Sequence, residues 1–381
     1  MRKISAIFVC FVFVFGCFMF KSSPQKMSFA KTTLPYKAMA TMEVDSKRIL
    51  FSYNENQKLP MASTTKIITA ICVIENTKDL NKIIKIPKQA QGIEGSSIYL
   101  RTGEHLSIKE LLLGLMLSSG NDAAVALAIE TSGSVEDFAT LANEFCKRVG
   151  AENTNIVTPN GLHDENHYTT AKDLAIISCY AMKNEIFREI VATKKATLSN
   201  EFFKEPRYIK NKNRLLKELD GCTGIKTGFT KEAGRCLVAS RKVNQMEVVC
   251  VVLNCGPMFE ECSELLKKAG QDFSLCELLP EYNHVGSCEV VNGKQILKIN
   301  VMNKEGFVYP LTKDEQSLVR VVASFPKTLI APIEKGQSVG EINIYLSNQL
   351  IFSTKIYSIE DVRTINFKDI INKVIEKMLW E

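Results

Sequence analysis

Between Lys37 and Tyr53 apolar and polar positions alternate on either side of Asp45-Ser46-Lys47, with Ile49, Phe51 and Tyr53 in step, which predicts two short strands and a turn. Ser63 to Glu75 is different. Ile67, Ile68, Ala70, Ile71, Val73 and Ile74 form a continuous apolar body, the mark of a helix buried on most sides. Ser107-Ile108-Lys109-Glu110 has the spacing of a capping box and opens a helix through Leu117. Ser118 to Asn121 interrupts it, and a new helix begins at Asp122 and stops at Gly133. Ser134 caps a helix that runs to Val149 and ends at Gly150, and Thr170 to Met182 forms another with Asp173 in its first turn. From Gly224 the pattern changes, predicting strands at Ile225–Thr230, Arg235–Val243 and Met246–Cys255, the last two joined at Asn244-Gln245, followed by a helix over Phe259–Leu279. Strands, a helical block, strands and a closing helix predict an α+β domain, an antiparallel sheet covered by helices with its terminal elements packed together.

Helical spacing disappears after Glu281. Val290-Val291-Asn292-Gly293-Lys294 predicts a hairpin, and Ile296–Val301, Leu318–Ala323 and Ile342–Ile351 alternate like half-buried strands. Residues 281–358 are therefore expected to form a small all-β domain. Residues 359–381 then place Phe367, Ile370, Ile371, Val374, Ile375, Met378 and Leu379 on one helical face, with Trp380 near the end. Such a helix packs on the β domain or lies in the headgroup layer of a membrane. Lys368, Lys373 and Lys377 alternate with Asp369 and Glu376 on its polar side, so charge does not decide between the two.

The amino terminus changes the accounting of charge. Arg2 and Lys3 precede an apolar run from Ile4 to Phe20, and Ser28-Phe29-Ala30 offers small residues at the positions a signal peptidase reads. Residues 1–30 are expected to be a signal peptide, with a retained anchor as the alternative. Without them the formal charge falls from +6 to +2, and no clustered basic face points to nucleic acid. The remaining 31–280 form the expected catalytic domain. Ten cysteines lie beyond residue 30 with no C-x-x-C pair, several inside apolar runs such as Val248–Leu253, so buried thiols and disulfides both fit. No metal or cofactor site is expected, since only His105, His163, His167 and His284 accompany those cysteines.

Three polar motifs stand at the borders of apolar segments: Ser63-Thr64-Thr65-Lys66, Ser119-Gly120-Asn121 and Lys226-Thr227-Gly228. A serine hydroxyl is a poor nucleophile until a base takes its proton. One helical turn separates Ser63 from Lys66, so the two side chains share a face, and burial beside another cation such as Lys226 would keep the amine neutral. The start of a helix also presents free N–H groups suited to an oxyanion. Ser119 is placed to relay a proton, and Asn121 to hold substrate amide or position Lys66. Lys226 and Thr227 can bind a carboxylate, while Gly228 lets a substrate backbone approach the strand edge. Singly, each motif has a plainer explanation: Ser63 and Asn121 as helix caps, Lys226-Thr227-Gly228 as a strand start with a bulge. Ser23-Pro24-Gln25-Lys26 and Ser52-Tyr53-Asn54 match the same patterns without being in a place to act. The conjunction of three motifs in this order is what favours an enzyme.

Together these motifs resemble the low-molecular-mass penicillin-binding proteins, the serine-type D-alanyl-D-alanine carboxypeptidases. The likeness covers roughly Tyr36 to Cys255 and extends to Met61-Ala62, Glu94-Gly95-Ser96-Ser97, Asp122-Ala123-Ala124, Asn160-Gly161-Leu162, Thr169 to Leu174 and Gly224 to Thr230. The resemblance implies a serine β-lactamase/transpeptidase-like fold with a smaller β domain and an amphipathic tail. It implies Ser63 as the acylated nucleophile, Lys66 as its base, Ser119 as proton relay to leaving D-alanine, and Asn121 as assistant. Lys226 and Thr227 would bind the terminal carboxylate beside Gly228, with the N–H groups of Ser63 and Phe229 as oxyanion hole. The implied substrates are peptidoglycan stem peptides ending in D-Ala-D-Ala, with β-lactams as inhibitors, in an exported protein of the cell envelope.

Three rivals use the same parts. A β-lactamase needs a glutamate on a loop between the second and third motifs; no loop there matches it convincingly, although Glu152 and Glu165 lie in the interval. A D,D-endopeptidase shares the chemistry but usually lacks the extra domain. A penicilloyl-binding sensor needs signalling spans, and nothing after residue 30 is apolar for long enough.

Overall fold

The computed structural model describes residues 34–202, 205–294 and 298–380; the expected signal peptide lies outside them. Strands β1 (Tyr36–Glu43) and β2 (Ile49–Tyr53) form a hairpin, and a short 3₁₀ turn at Ala62–Thr65 leads into helix α1 (Lys66–Asn76). Strands β3 (Ile83–Lys85) and β4 (His105–Ser107) pair briefly before helices α2 (Ile108–Leu117), α3 (Asn121–Ser132), α4 (Val135–Val149), α5 (Ala171–Met182) and α6 (Glu185–Ala192). A second short ladder joins β5 (Lys195–Leu198) to β6 (Arg207–Lys210). After the single turn α7 (Leu215–Glu218) come β7 (Cys222–Thr230), β8 (Gly234–Val243), β9 (Met246–Cys255) and helix α8 (Met258–Asp272).

The five long strands make one antiparallel sheet in the order β2-β1-β9-β8-β7. Period-two alternation divides their side chains between two cores. Val249, Val251 and Leu253 pack with α1, α2 and α3, whereas Val248, Cys250 and Val252 pack with Leu266 and Ala269 of α8. Burial on both faces explains why β9 reads as an unbroken apolar run. Strand β7 is left at the edge, and its free side faces the turn that carries Ser63.

Local capping sets several helix starts. Both halves of the capping box at Ser107 and Glu110 are present, and Ser134 and Thr170 accept the N–H groups of Asp137 and Asp173. Other boundaries depart from expectation. The α-helix begins at Lys66 rather than Ser63, because Ser63 belongs to the 3₁₀ turn and caps nothing. Asn121 is the first residue of α3 instead of its cap. The helix expected over Phe259–Leu279 ends at Asp272, and its last residues form a strand that finds a partner in the β module.

That module contains β10 (Ser274–Leu279), β11 (His284–Val291), β12 (Lys298–Asn303), β13 (Phe307–Leu311), the turn α9 (Lys313–Gln316), β14 (Val319–Ser324), β15 (Thr328–Ile330), β16 (Ser338–Leu346) and β17 (Gln349–Ser358). β10 pairs with β13, so the β structure begins before the expected boundary at Glu281. The other strands form a sheet in the order β14-β16-β17-β12-β11-β15, in which β11 and β15 alone run parallel. The segment Ile342–Ile351 is two strands joined at Ser347-Asn348, not one. Arg48, from the β1–β2 hairpin, reaches Glu315 and the carbonyl of Pro310 and lies over the rings of Phe273 and Tyr309. Helix α10 (Phe367–Trp380) starts later than residue 359, since Val362 and Thr364 bridge to Ile333 and Gly293. Its apolar residues Phe367, Ile370, Ile371, Val374, Ile375, Met378 and Leu379 are all exposed, so the expected packing of this face on the β domain does not occur.

All ten described cysteines are free thiols, and burial pushes those of Cys146 and Cys255 up to about 12. Such thiols behave as small core residues. Among the described residues no cluster fit to hold a metal occurs, and no helix is long and apolar enough to cross a membrane.

Candidate active site

The 3₁₀ turn at Ala62–Thr65 rests on β7 from one side and on the 155–168 loop from the other. Gly228 and Gly161 make both approaches feasible. A β-carbon on Gly228 would stand 3.1 Å from the backbone nitrogens of Ser63 and Thr64. One on Gly161, where φ is +84°, would overlap the Ala62 carbonyl. The three motifs therefore meet at one point although 163 positions separate Ser63 from Lys226.

Lys66 is wholly buried, and its Nζ stands 3.0 Å from Ser63 Oγ, 2.6 Å from Asn121 Oδ1 and 2.6 Å from the carbonyl of Asn160. Asn121 Nδ2 donates to the Glu94 carbonyl at 2.5 Å, which leaves its Oδ1 facing the lysine. Asn121 Oδ1 and Asn160 O are pure acceptors. They take the two N–H bonds of a neutral amine and leave its lone pair for the Ser63 hydroxyl. Burial first, then the charges of Lys226 and Lys212, hold the Lys66 ammonium well below the usual lysine range, against an opposing pull from Asp122. The site thus sets an alcohol beside an amine whose charged form burial disfavours.

Lys226, also buried, donates to the Thr227 carbonyl at 2.9 Å, and burial with the charge of Lys212 brings its pKa down to about 7. Thr227 is half-buried, and Phe229 projects with 64% of its surface exposed. Ser119 is buried in a left-handed backbone conformation, φ +65°, at the end of α2. All eight expected site residues lie on the turn, the α2–α3 junction and β7.

Sequence reasoning missed the residues that hold these in place. Asp122 accepts from the backbone N–H groups of Ile98, Leu100 and Ala123 and from the Ser97 hydroxyl at 2.6–3.1 Å, and so pins the loop whose Ser96 carbonyl receives the Asn121 N–H. Lys212 donates to Ser96 Oγ at 2.9 Å, bringing a third ammonium near the cleft. His167, considered only as a metal ligand, is buried with Nε2 2.8 Å from Thr65 Oγ1, while Nδ1 accepts from the N–H groups of Val157 and Thr158. Its neutral tautomer follows: Nε2 donates to Thr65, and Thr65 donates to the Ala62 carbonyl at 2.8 Å. Burial lowers the His167 pKa to about 4. The Asn-Gly pair at 160–161 was the available signal for the loop; nothing in the spacing marked Lys212.

A half-buried serine against a buried lysine, between an edge strand and a helical block, is the arrangement of serine acyl-transferring enzymes. The chain matches the D-alanyl-D-alanine carboxypeptidase family over residues 25–256 and the C-terminal domain of penicillin-binding protein 5 over residues 273–364, and it belongs to that carboxypeptidase family. It is 31% identical over 346 residues to the D-alanyl-D-alanine carboxypeptidase DacF of Bacillus subtilis, 87% of each chain. Penicillin-binding protein 5 of Haemophilus influenzae superposes with a TM-score of 0.74 at 28% identity, over 88% of this chain and all of that one. A D-alanyl-D-alanine endopeptidase of Pseudomonas aeruginosa is 31% identical over 212 residues, 54% of this chain and 67% of its own.

Proposed function

We infer that the protein is a serine-type D-Ala-D-Ala carboxypeptidase of peptidoglycan metabolism, a penicillin-binding protein that removes the terminal D-alanine from stem peptides. The observation that carries the reading is the buried Lys66 Nζ, held by two acceptors and facing Ser63 Oγ. Ser63 Oγ attacks the penultimate D-alanine carbonyl as its proton passes to Lys66, forming an acyl-oxygen bond. The N–H groups of Ser63 and Phe229 receive the oxyanion. Ser119 passes the proton to the departing amine, the peptide bond breaks, and D-alanine leaves. Water then attacks the ester, and Ser63 recovers its proton. Lys226 and Thr227 bind the terminal carboxylate beside Gly228, and that carboxylate raises the proton affinity of Lys226 as it arrives.

The geometry speaks against the rivals. Glu152 and Glu165 are both exposed, and Lys66 meets a backbone carbonyl from their interval where a β-lactamase would need a carboxylate. The endopeptidase match covers 54% of this chain, whereas residues 273–364 match the C-terminal domain of penicillin-binding protein 5, which favours the carboxypeptidase. For residues 1–30 we propose a cleaved leader, with the enzyme acting in the extracytoplasmic envelope. The exposed apolar face of α10 supports peripheral membrane contact. We place the division between catalytic and β domains at Phe273, where α8 gives way to β10.

Intact-protein mass spectrometry after penicillin treatment, combined with D-alanine release from a pentapeptide, tests this reading. One persistent adduct and released D-alanine are expected for the wild type, and neither for Ser63→Ala. An adduct on the alanine variant, or rapid turnover of nitrocefin, would overturn it.

A further inference from the structure

We propose that Tyr99 is a substrate-recognition residue whose ring is a platform for a sugar of the glycan strand carrying the stem peptide. The inference rests on the carboxypeptidase reading above and extends it to a subsite. Tyr99 has φ +61°, a left-handed conformation that strains a bulky side chain. Its surroundings hold that conformation from every side. Asp122 takes the N–H groups of both neighbours, Ile98 at 3.1 Å and Leu100 at 3.0 Å. Ser97 Oγ accepts the Tyr99 N–H at 2.8 Å, and Arg207 donates to the Tyr99 carbonyl at 3.2 Å. Ile98 and Leu100 are buried on either side.

The ring itself is 80% exposed. Its own burial therefore does not offset the strain, and glycine or asparagine would occupy the position without it. A rigid frame that presents an aromatic ring to solvent fits a residue kept for binding. Tyr99 stands three residues from Ser96, whose carbonyl holds Asn121, so its backbone lies within about 10 Å of that point on the cleft wall. A stem peptide places its sugar about four residues, roughly 14 Å, before the scissile bond. A ring held there is within reach of the glycan end of a substrate whose D-alanines occupy the cleft. Tyrosine suits a sugar, since its flat face covers the apolar C–H side of a pyranose while its hydroxyl exchanges hydrogen bonds.

The test measures binding of a disaccharide-tetrapeptide and of the same tetrapeptide without sugars to the full chain by calorimetry. Asparagine tolerates the left-handed backbone, so Tyr99→Asn is the chosen variant. Tyr208→Asn, at an exposed tyrosine of β6, is the control. We expect the wild type and the control to bind the disaccharide form about ten-fold more tightly, and Tyr99→Asn to lose most of that preference while Tyr99→Phe keeps it. An equal preference in wild type and Tyr99→Asn, or no preference in the wild type, overturns the inference. D-alanine release by the same wild-type sample reads the carboxypeptidase assignment separately. A sugar preference without release would leave Tyr99 in its role and sink the reaction.

Discussion

His167 offers a quantitative check on how the nucleophile turn is held. The unfolded imidazole takes up a proton near pH 6.5, whereas the folded one resists protonation until about pH 4 because it is buried with Nδ1 accepting two backbone N–H groups. Between those values the unfolded state binds more protons, so stability falls as pH falls. The contribution is fully present above about pH 6.5 and amounts to about 3 kcal/mol lost by pH 4. The perturbation is His167→Asn. The asparagine Oδ1 takes the place of Nδ1 and keeps Val157 and Thr158 satisfied, but its amide cannot reach Thr65, and it does not titrate. Urea unfolding followed by circular dichroism from pH 7.5 to pH 4 should show the variant about 1 kcal/mol less stable at neutral pH, for one lost neutral hydrogen bond. By pH 4 the wild type should have lost its advantage and fallen below the variant. His167→Gln makes the complementary change. It reaches Thr65 but leaves two buried N–H groups without an acceptor, so it should unfold more easily and yet acylate with penicillin faster than His167→Asn. Parallel stability curves for wild type and His167→Asn, or the reverse order of acylation rates, would refute the assignment of the tautomer and its role.

Two further outcomes follow from the site. Lys212→Gln removes a charge that lowers both Lys66 and Lys226, so the acid limb of the penicillin acylation rate should move to higher pH by about half a unit, with Lys212→Arg restoring it. Gly228→Ala places a carbon 3.1 Å from the Ser63 and Thr64 nitrogens, and stopped-flow acylation should slow by about 100-fold while the melting temperature changes little.

Much of this protein was legible along the chain because the signals are local. Alternation identified the β1–β2 hairpin, the change of pattern after Gly224 identified β7, β8 and β9, and caps at Ser107, Ser134 and Thr170 identified the starts of α2, α4 and α5. Ser63, Lys66, Ser119, Asn121 and Lys226 to Gly228 were named from residue type, order and spacing, and Phe229 from the family resemblance. Where pairing across the chain competes with local pattern, the reading failed. Ser274–Leu279 continues a helical spacing yet becomes a strand, because Phe307–Leu311 offers it a ladder. The apolar run at Ile342–Ile351 concealed a turn, since alternation is blind to a reversal that leaves both strands half-buried. Chain order alone thus determined the elements and the reacting groups. Only the tertiary structure decided that Lys66 is buried with its charged form disfavoured by Lys212 and its amine held by Asn160, and that Asp122 and His167 brace the surrounding loops. Hydrogen bonds and desolvation depend on distances between segments up to about a hundred residues apart, which no local spacing encodes.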